Sequence, residues 1–224
     1  SALMKNPQLA YEILAAMVDA VKIPVTVKFR AGWDDEHRNA VEIAQAAERA
    51  GVSAVAVHGR TRKQFYEGKA DWNIIRDVKQ SVKIPVFGNG DIFSVEDGLN
   101  MFKETGCDGL MLGRGVDGNP WLFSRLRAVL AGESDPGEPD VDTRLSQAAE
   151  HLQMLIDYKG EYVSVKEMRR HISAYLKGLP HAAEFRGRFH KVDTQEQFMV
   201  LLGEYAECAH EYYEQAISHG FVNQ

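Results

Sequence analysis

Residues 82–92 are Val82-Lys83-Ile84-Pro85-Val86-Phe87-Gly88-Asn89-Gly90-Asp91-Ile92, and this stretch decides the predicted fold. It predicts a short buried strand that leads directly into a glycine-rich turn. After a predicted helix, a second strand ends in Gly113-Arg114-Gly115. Glycine at a strand end lets backbone N–H groups approach a ligand closely. Two consecutive βα units that end this way are typical of a phosphate site at the carboxyl-terminal face of a βα-barrel.

Composition limits the classes of protein to consider. The chain has 224 residues and is 45% hydrophobic, enough for one large domain or two smaller ones with a real core. Every apolar run is shorter than the roughly 18 residues that indicate a membrane span. The two cysteines, Cys107 and Cys208, make neither a disulfide framework nor a metal site, which favours a reducing, cytoplasmic setting. A net charge of −6 argues against a generally basic nucleic-acid coat but leaves a local basic patch open.

An internal repeat extends the prediction to four strands. Val21-Lys22-Ile23-Pro24-Val25 recurs as Val82-Lys83-Ile84-Pro85-Val86, and the segment that begins at Ala50-Gly51 is echoed by the one that begins at Thr105-Gly106. Each repeat contains two βα steps, so the pattern predicts four parallel strands with helices between them. This is an α/β fold and corresponds to half of an eight-stranded barrel. An open doubly wound sheet is the alternative, but the repeated spacing favours the barrel.

The domain organisation follows from where strand signals stop. We predict a partial barrel over residues 1–131, a linker rich in glycine, proline and acid over 132–140, and an all-α bundle of three or four helices over 141–224. Within the bundle, Ser164-Val165-Lys166-Glu167 predicts a capping box at a helix start. In the barrel part, strands are predicted near 24–30, 53–58, 82–88 and 108–113. Helices are predicted near 6–21, 39–50, 72–81, 95–105 and 120–131.

Two polar side chains stand at the ends of predicted strands. Strand alternation places Thr26, Lys28 and Arg30 on one face, so Lys28 is expected to point into the barrel mouth. A buried lysine is unfavourable unless it is paired or functional, so the alternatives are a barrel ion pair or a cation beneath an electron-rich ring or phosphate. His58 ends the next strand. It is either a satisfied structural histidine or a functional one, and its position favours function.

The two glycine-rich strand ends supply the other candidates. Asn89, Gly90 and Asp91 form either an Asx turn or a ligand-facing loop with an amide and backbone donors. Gly113 and Arg114 offer a backbone N–H and a guanidinium for bidentate phosphate binding. The sequence lacks the G-x-G-x-x-G fingerprint, so we do not expect a nicotinamide nucleotide as the resident cofactor.

A basic helical face is predicted in the second domain. Helical spacing places Lys166, Arg170, Ser173 and Lys177 on one side, opposite an apolar side. Cations outnumber carboxylates between residues 159 and 191, whereas every charge between 193 and 214 is acidic. This segregation is either an ordinary solvated face or a surface that contacts nucleic-acid phosphates.

Four motifs in this order resemble tRNA-dihydrouridine synthases. They are Val25–Trp33, His58–Arg62, Gly88–Ile92, and Gly113–Gly115 continued by Asn119-Pro120-Trp121. The segment from Lys166 through Arg169-Arg170-His171 to Pro180 resembles the helical domain of the bacterial B-type branch. The resemblance spans nearly the whole chain.

The resemblance implies an FMN-dependent TIM barrel followed by a helical tRNA-binding domain. NADPH would reduce the flavin, which would deliver hydride to C6 of a tRNA uridine that has left its stack, while a cysteine donates a proton to C5. It implies that Lys28 contacts the isoalloxazine ring, that His58 lies beside it, and that the glycine-rich strand ends hold the ribityl phosphate. Those strand-end residues are Asn89, Gly90, Asp91, Gly113 and Arg114. The RNA contacts it implies are Arg30, Arg60, Lys166, Arg169, Arg170 and Lys177.

The sequence departs from the family pattern at its beginning. The family's catalytic cysteine lies in a Gly-Cys-Pro loop upstream of a Gly-Ser-Ala-Leu-like segment, and this sequence starts at Ser1-Ala2-Leu3. We therefore expect a C-terminal part of such an enzyme, inactive alone, whose half-barrel pairs with another copy or with the missing half. The alternatives are a tRNA-binding fragment without redox activity, and another FMN- or phosphate-binding barrel enzyme.

Overall fold

The computed structural model describes residues 1–219 and shows an α/β protein. The chain divides into two compact units, Ser1–Gly115 and the part from Val116 onward. No helix within residues 1–219 combines the length and the apolar character needed to cross a membrane.

The first unit contains a four-stranded parallel sheet in the order β1-β2-β3-β4, as predicted. Its strands are β1 (Thr26–Arg30), β2 (Ala54–His58), β3 (Val86–Asn89) and β4 (Gly109–Met111). In register, Arg30 pairs with His58, His58 with Asn89, and Asn89 with Met111. The carboxyl ends of all four strands therefore lie at one edge of the sheet.

The third strand begins later than the sequence indicates. The prediction placed its start at residue 82, but β3 begins at Val86. The N–H groups of Lys83 and Ile84 donate to the Glu48 carboxylate at 2.6 and 3.2 Å, so they do not join the ladder. A tertiary hydrogen bond thus holds the first half of the apolar run in a loop.

Helices α1 to α4 belong to the first unit, and their ends follow local signals. The helices are α1 (Pro7–Ala20), α2 (Ala40–Arg49), α3 (Trp72–Ser81) and α4 (Val95–Thr105). The S-x-x-D pattern of Ser94 and Asp97 predicts a helix start, and these residues form the capping box of α4. Gly106 ends that helix with a left-handed φ of 68°. The core beneath the helices contains Val55, Val57 and Ile75.

The first helix packs through a different face from the predicted one. Helical spacing in the sequence predicts an apolar stripe of Leu9, Ile13, Met17, Ala20 and Val21. The structure instead buries Ala10 and Leu14 of α1. Leu9, Ile13 and Met17 are exposed, and Met17 is exposed to 50%. Tyr11, Ala15 and Val18 pack against the same core as Ala10 and Leu14, so the buried face is turned away from the predicted stripe.

The second unit is built from helices within its described part. They are α5 (Trp121–Leu130), α6 (Val141–Lys159), α7 (Glu161–Tyr175), α8 (Ala182–Phe189) and α9 (Gln195–Ser218). Met168 and Ile172 of α7 are fully buried in a core with Phe189 and Phe198, which confirms the predicted inner face of that helix.

The predicted capping box at Ser164 is wrong. Helix α7 begins at Glu161, directly after Gly160 at φ 78°, so Ser164 lies inside the helix. Its hydroxyl is buried and donates to the Gly160 carbonyl at 2.7 Å. Glu167 is paired with Lys159 at 2.7 Å instead of reaching back to a cap.

Helix α5 lies in the second compact unit, whereas the sequence placed it before the linker. Trp121 packs against the core of the second unit. Arg125 bonds the carboxylates of Asp135, at 2.8 Å, and of Glu138, which ties the predicted linker to α5. The compact units therefore divide after Gly115, and the functional division at residues 132–140 stays a prediction.

Candidate functional site

A cavity of about 230 Å³ lies at the carboxyl ends of the four strands. It brings together side chains or backbone from all four strand ends, because carboxyl ends of parallel strands meet at the same edge. The predicted residues that line it are Lys28, Arg30, His58, Asn89, Gly90, Asp91, Gly113 and Arg114. Tyr66 and Phe93 line it as well.

Lys28 and His58 both line this cavity, but only His58 is buried, whereas Lys28 is exposed and not buried as predicted from the sequence. Desolvation lowers the pKa of the Lys28 ammonium below its ordinary value, and the charge of Arg30 lowers it further. Burial, followed by repulsion from Arg30 and Lys28, lowers the pKa of His58 from 6.5 to about 4. His58 is therefore a neutral imidazole at pH 7, placed beside a lysine cation.

The turn after β3 needs glycine at its second position. Gly90 has φ 121°, and a Cβ atom there would lie 2.8 Å from the Ala70 Cβ and 3.0 Å from His58 Cδ2. The Asn89 side-chain amide donates to the Met111 carbonyl at 2.6 Å, which fixes the turn to β4. The close packing at Gly90 also fixes the His58 ring.

The Asp91 carboxylate accepts hydrogen bonds from three groups near the cavity. The residue has a left-handed φ of 55°. Its carboxylate accepts from Arg60 Nη1 at 2.7 Å, from Arg114 Nη2 at 3.2 Å and from the Ala70 N–H at 2.7 Å. Burial raises its pKa, but the hydrogen bonds from Arg60 and Ala70 and the nearby positive charges outweigh burial and lower the pKa below its usual range. Asp91 thus remains a carboxylate.

Arg60 is a buried structural residue. Its exposed fraction is 2%, and besides Asp91 its guanidinium donates to the carbonyls of Glu67 at 3.1 Å and Gly68 at 2.6 Å. The predicted RNA contact does not fit this placement, because the guanidinium is turned into the protein. Its geometry is that of a residue that positions the loop after β2.

Arg30 holds the same loop from the end of β1. Its Nη1 donates to the carbonyls of Thr61 and Phe65, both at 3.1 Å. Arg30 still lines the cavity, so a contact with a bound nucleotide remains compatible with its position. The loop over residues 61–70 is therefore anchored by Arg30 at the end of β1 and by Arg60 just after β2.

Arg114 is held above the cavity by aromatic rings that the sequence did not single out. Its guanidinium carbon lies 4.4 Å from the centre of the Tyr66 ring and 5.5 Å from that of Phe93. Such cation–π contacts fix the orientation of a guanidinium while leaving its N–H groups available. Phe93 directly follows the glycine-rich turn, and this adjacency is the signal by which the sequence could have revealed it.

The two glycines that flank Arg114 have different surroundings. A Cβ atom at Gly113 would meet nothing within 4 Å, so the backbone there faces open space. A Cβ atom at Gly115 would lie 2.0 Å from the Ile92 carbonyl oxygen. Gly113 is thus accessible to a ligand, while Gly115 allows β4 to pack against the turn after β3.

Neither cysteine lines the cavity. Cys107 is buried on the helix-covered side of the sheet, where its Sγ would lie 3.2 Å from a Cβ atom at Gly88. Cys208 is half-buried on α9 in the second unit. Both cysteines thus lie away from the cavity, and the source of a catalytic proton stays a prediction.

The predicted RNA-binding residues of the second unit differ in their availability. Lys166, Arg170 and Lys177 are exposed. Lys166 Nζ lies 3.7 Å from the centre of the Tyr162 ring, and Arg170 is 3.6 Å from the Asp117 carboxylate. Arg169 instead donates to the Val192 carbonyl, at 2.7 Å from Nη2, and to Asp193 at 2.7 Å. Arg169 therefore ties α7 to the segment before α9.

The chain is similar in sequence to known proteins. The family model described as Dihydrouridine synthase (Dus) matches residues 1–214. A "Probable tRNA-dihydrouridine synthase" from Rickettsia conorii is 50% identical over 187 residues, which cover 84% of this chain and 56% of the relative. A "tRNA-dihydrouridine synthase B" from Pseudomonas aeruginosa is 44% identical over 209 residues, 92% of this chain and 63% of the relative. The protein of that name from Shewanella oneidensis is 43% identical over 202 residues, 90% and 62%. The chain thus spans about six tenths of these relatives' length.

Proposed function

The chain belongs to the dihydrouridine synthase family, in the B-type branch, and from this premise we propose that it takes part in reducing uridine to 5,6-dihydrouridine in tRNA. The observation that carries the proposal is the cavity at the four strand ends. It gathers Lys28, His58, Gly90, Gly113 and Arg114 around one space.

We propose FMN as the cofactor, and the donor set fits its phosphate end. Open backbone at Gly113 and the oriented guanidinium of Arg114 suit a phosphate group. The cavity of about 230 Å³ is smaller than the roughly 300–1,000 Å³ of sites that enclose a whole ligand, so it would enclose only part of FMN, with Gly113 and Arg114 at the phosphate end. When bound and reduced by NADPH, FMN would supply the hydride that adds to C6 of uracil.

Lys28, His58 and Asp91 would set the charge around the cofactor. Lys28 supplies a cation that stabilises negative charge on a bound electron-rich ring. His58, neutral at pH 7, offers one N–H donor and one acceptor without adding a second charge. Asp91 remains ionised and holds Arg114 in place.

We also propose that these residues do not complete the reaction alone. The reduction needs a proton at C5 of uracil, and neither Cys107 nor Cys208 lines the cavity. The purified chain, supplied with FMN, NADPH and unmodified tRNA, is expected to form no dihydrouridine. Formation of dihydrouridine would contradict this proposal.

The sheet supports the proposal that it is half of a TIM barrel. Strands β1 and β4 are the two edges of the four-stranded sheet, and Lys28 of β1 and Phe87 of β3 are exposed. Leu9, Ile13 and Met17 of α1 are exposed as well. Free edges and exposed apolar side chains favour pairing, either with a second copy or with further strands of a longer chain. A monodisperse monomer in sedimentation equilibrium at high protein concentration would argue against self-pairing.

We propose that the second unit binds tRNA through the exposed cations Lys166 and Arg170 of α7 and Lys177 of the turn that follows it, which the sequence had placed on the helix itself. Lys166, Arg170 and Lys177 are available for phosphates, whereas Arg169 is engaged within the protein. A tRNA-binding protein without redox activity is the second candidate function, and the position of both cysteines away from the cavity favours it.

An FMN titration tests the cofactor proposal. The chain is expected to retain flavin after desalting, as read from the visible spectrum. Arg114→Ala should weaken FMN binding by about 10-fold or more, since hydrogen bonds to charged groups contribute about 1.5–3 kcal/mol. Arg76→Ala, which removes an exposed arginine of α3 outside the cavity, is the control. An FMN affinity that Arg114→Ala leaves unchanged would contradict the assigned site. Binding of tRNA by a chain that retains no flavin would favour the second candidate.

A further inference from the structure

The outer face of α7 carries an exposed aromatic ring in line with two cations. Tyr162, Lys166 and Arg170 are spaced four residues apart, so they share one side of the helix. The Tyr162 residue is 70% exposed and the Arg170 side chain 80%. Tyr158, which lies before the Gly160 turn, is 82% exposed. Tyrosine rings usually bury much of their surface, so two such exposed rings beside one turn indicate a contact surface.

Lys166 and Arg170 are less closely paired with carboxylates than the neighbouring cation Lys159 is. Within residues 1–219, Lys166 makes no ion pair, and Arg170 has only Asp117, at 3.6 Å. Lys159 is paired with Glu167 at 2.7 Å. The acid at the start of the helix, Glu161, is engaged by the Gln195 N–H at 2.8 Å. Lys166 and Arg170, with the exposed rings of Tyr158 and Tyr162 beside them, therefore form a positive strip on a chain whose net charge is −6.

The ring and the cation are already arranged together. The Lys166 ammonium lies 3.7 Å from the centre of the Tyr162 ring, which orients the ring by a cation–π contact. One face of the ring is occupied by the charge, and the high exposure of Tyr162 leaves its other side to solvent. A ring that is oriented before binding loses little side-chain entropy when a partner stacks on it.

The chemistry of the strip selects one class of partner. Aromatic rings beside a row of cations are typical of sites for unpaired nucleic-acid segments, where bases stack and phosphates bind the cations. An acidic peptide would use the cations but would not need the flat exposed rings. The combination therefore fits RNA with an unpaired base better than it fits a protein partner.

We propose that Tyr162 stacks on an unpaired base of the bound tRNA while Lys166 and Arg170 bind phosphates beside that base, with Tyr158 as a second stacking ring. This inference rests on the proposed tRNA-binding function and adds a stacking subsite to it. In this arrangement the phosphate contacts of Lys166 and Arg170 contribute a salt-dependent part of the binding free energy. Stacking on Tyr162 contributes a part that does not depend on salt.

A salt series on four variants of the full chain tests the proposal. Affinity for an unmodified tRNA transcript is measured by fluorescence anisotropy for Tyr162→Ala, Tyr162→Phe, Lys166→Gln and Tyr212→Ala. Tyr162→Ala should weaken binding about 5- to 150-fold, the range for loss of one base–aromatic stack, without changing the salt slope. Tyr162→Phe should retain most of the affinity because it keeps the ring. Lys166→Gln should reduce the slope of log K against log salt by about 0.7 to 0.9.

Tyr212→Ala is the matched control, because Tyr212 is an exposed tyrosine of α9 that lies outside the strip. Unchanged circular dichroism shows that each variant is folded. If Tyr162→Ala binds as Tyr212→Ala does while the wild type binds tRNA, the stacking proposal is overturned and the tRNA proposal stands. If a fully paired RNA duplex shows the same loss with Tyr162→Ala, stacking on an unpaired base is overturned. If the wild type binds no tRNA, the function proposed for the second unit fails.

Discussion

The cations of the two units are used in opposite ways. At the strand ends of the first unit, Arg60 is buried and Arg30 half-buried, and both donate to backbone carbonyls of the loop over residues 61–70. On α7 of the second unit, Lys166 and Arg170 are exposed. Within the same helix, Arg169 bonds the Val192 carbonyl and Asp193, as the strand-end arginines bond their loop.

This contrast shows that the partners of a cation decide its role. Arg60 stands in a motif that the sequence assigned to RNA contact, yet its guanidinium fixes a loop and the Asp91 carboxylate. Lys166 carries the same charge but has no carboxylate partner in the described part of the chain, so it can bind phosphate. Removing a buried cation should therefore change stability, and removing an exposed one should change binding.

The largest expected effect is on the stability of the first unit. Arg60→Met removes the hydrogen bonds to Glu67, Gly68 and Asp91 and leaves a partly buried carboxylate without its main partner. We expect the free energy of unfolding of the first unit to fall by about 3–5 kcal/mol, the range for breaking a buried pair. Hydrogen exchange of the β2 and β3 amides measures this unit separately from the second.

The matched substitution is Arg170→Met, which removes the exposed cation of α7. It should change stability by no more than about 0.5 kcal/mol, because surface substitutions away from packed features usually do. Equal effects of the two substitutions on exchange in their own units would break the contrast between buried and exposed cations.

The next effect is a pH dependence that belongs to His58. Its pKa in the folded protein is about 4, against an ordinary 6.5, so the unfolded chain binds more protons between these values. Stability should therefore fall as pH decreases from about 6.5 to about 4, by up to about 3 kcal/mol. His58→Gln should remove this part of the profile, as measured by urea unfolding of both proteins across that range. Parallel profiles for the two proteins would show that His58 does not titrate in this way.

A substitution of Lys28 tests how much its charge contributes to the lowered pKa of His58. The Lys28 charge contributes to the lowered pKa of His58, although less than burial and Arg30. Lys28→Met should therefore move the pKa of the His58 ring upward, as followed by NMR titration of its ring protons. A pKa that stays in place would mean that burial and the other cations account for the shift.

Much of the fold was predictable because its signals are local. Short apolar runs predicted all four parallel strands, and Ser94 with Asp97 predicted the start of α4. The errors arose where a distant group competes for the backbone or for a packing face. The Glu48 carboxylate holds the residues before β3 in a loop, and Ala10 with Leu14 replaces the broader apolar stripe as the buried face of α1.

The candidate site was predictable where it depends on strand pattern and unpredictable where it depends on a loop. Strand alternation and the ends of parallel strands predicted that Lys28, His58, Asn89 and Arg114 would meet, and they line one cavity. The sequence could not show that Arg60 turns inward, since its carbonyl partners depend on the conformation of a loop. Tyr66 was missed for the same reason, because its contact with Arg114 is made by that loop.

A smaller effect on stability is expected from alanine substitutions at Gly113 and Gly115, which follow β4. Gly115 is needed for packing, and Gly113 is proposed to give a ligand access to the backbone. Gly115→Ala would place a Cβ atom 2.0 Å from the Ile92 carbonyl oxygen, so the backbone must shift, and we expect a loss of about 1–3 kcal/mol. Gly113→Ala meets nothing within 4 Å and should leave stability within about 0.5 kcal/mol. If the proposed phosphate site is correct, Gly113→Ala should still weaken FMN binding. Thermal unfolding and an FMN titration of both variants measure the two properties, and equal losses of stability would contradict the packing argument.

The smallest expected effect compares one sequence pattern in the two units. Ser94 accepts from the Asp97 N–H at 3.0 Å in a complete capping box, so Ser94→Ala should lower stability by about 1 kcal/mol. Ser164 has an acidic residue at the same spacing but lies inside α7, where its hydroxyl donates to the Gly160 carbonyl. Because alanine is the better helix former and that carbonyl is already a helix-turn acceptor, Ser164→Ala should cost about 0.5 kcal/mol or less. Urea unfolding of both variants provides the comparison. A larger loss at Ser164 than at Ser94 would show that the buried hydroxyl stabilises the second unit more than a helix cap stabilises the first.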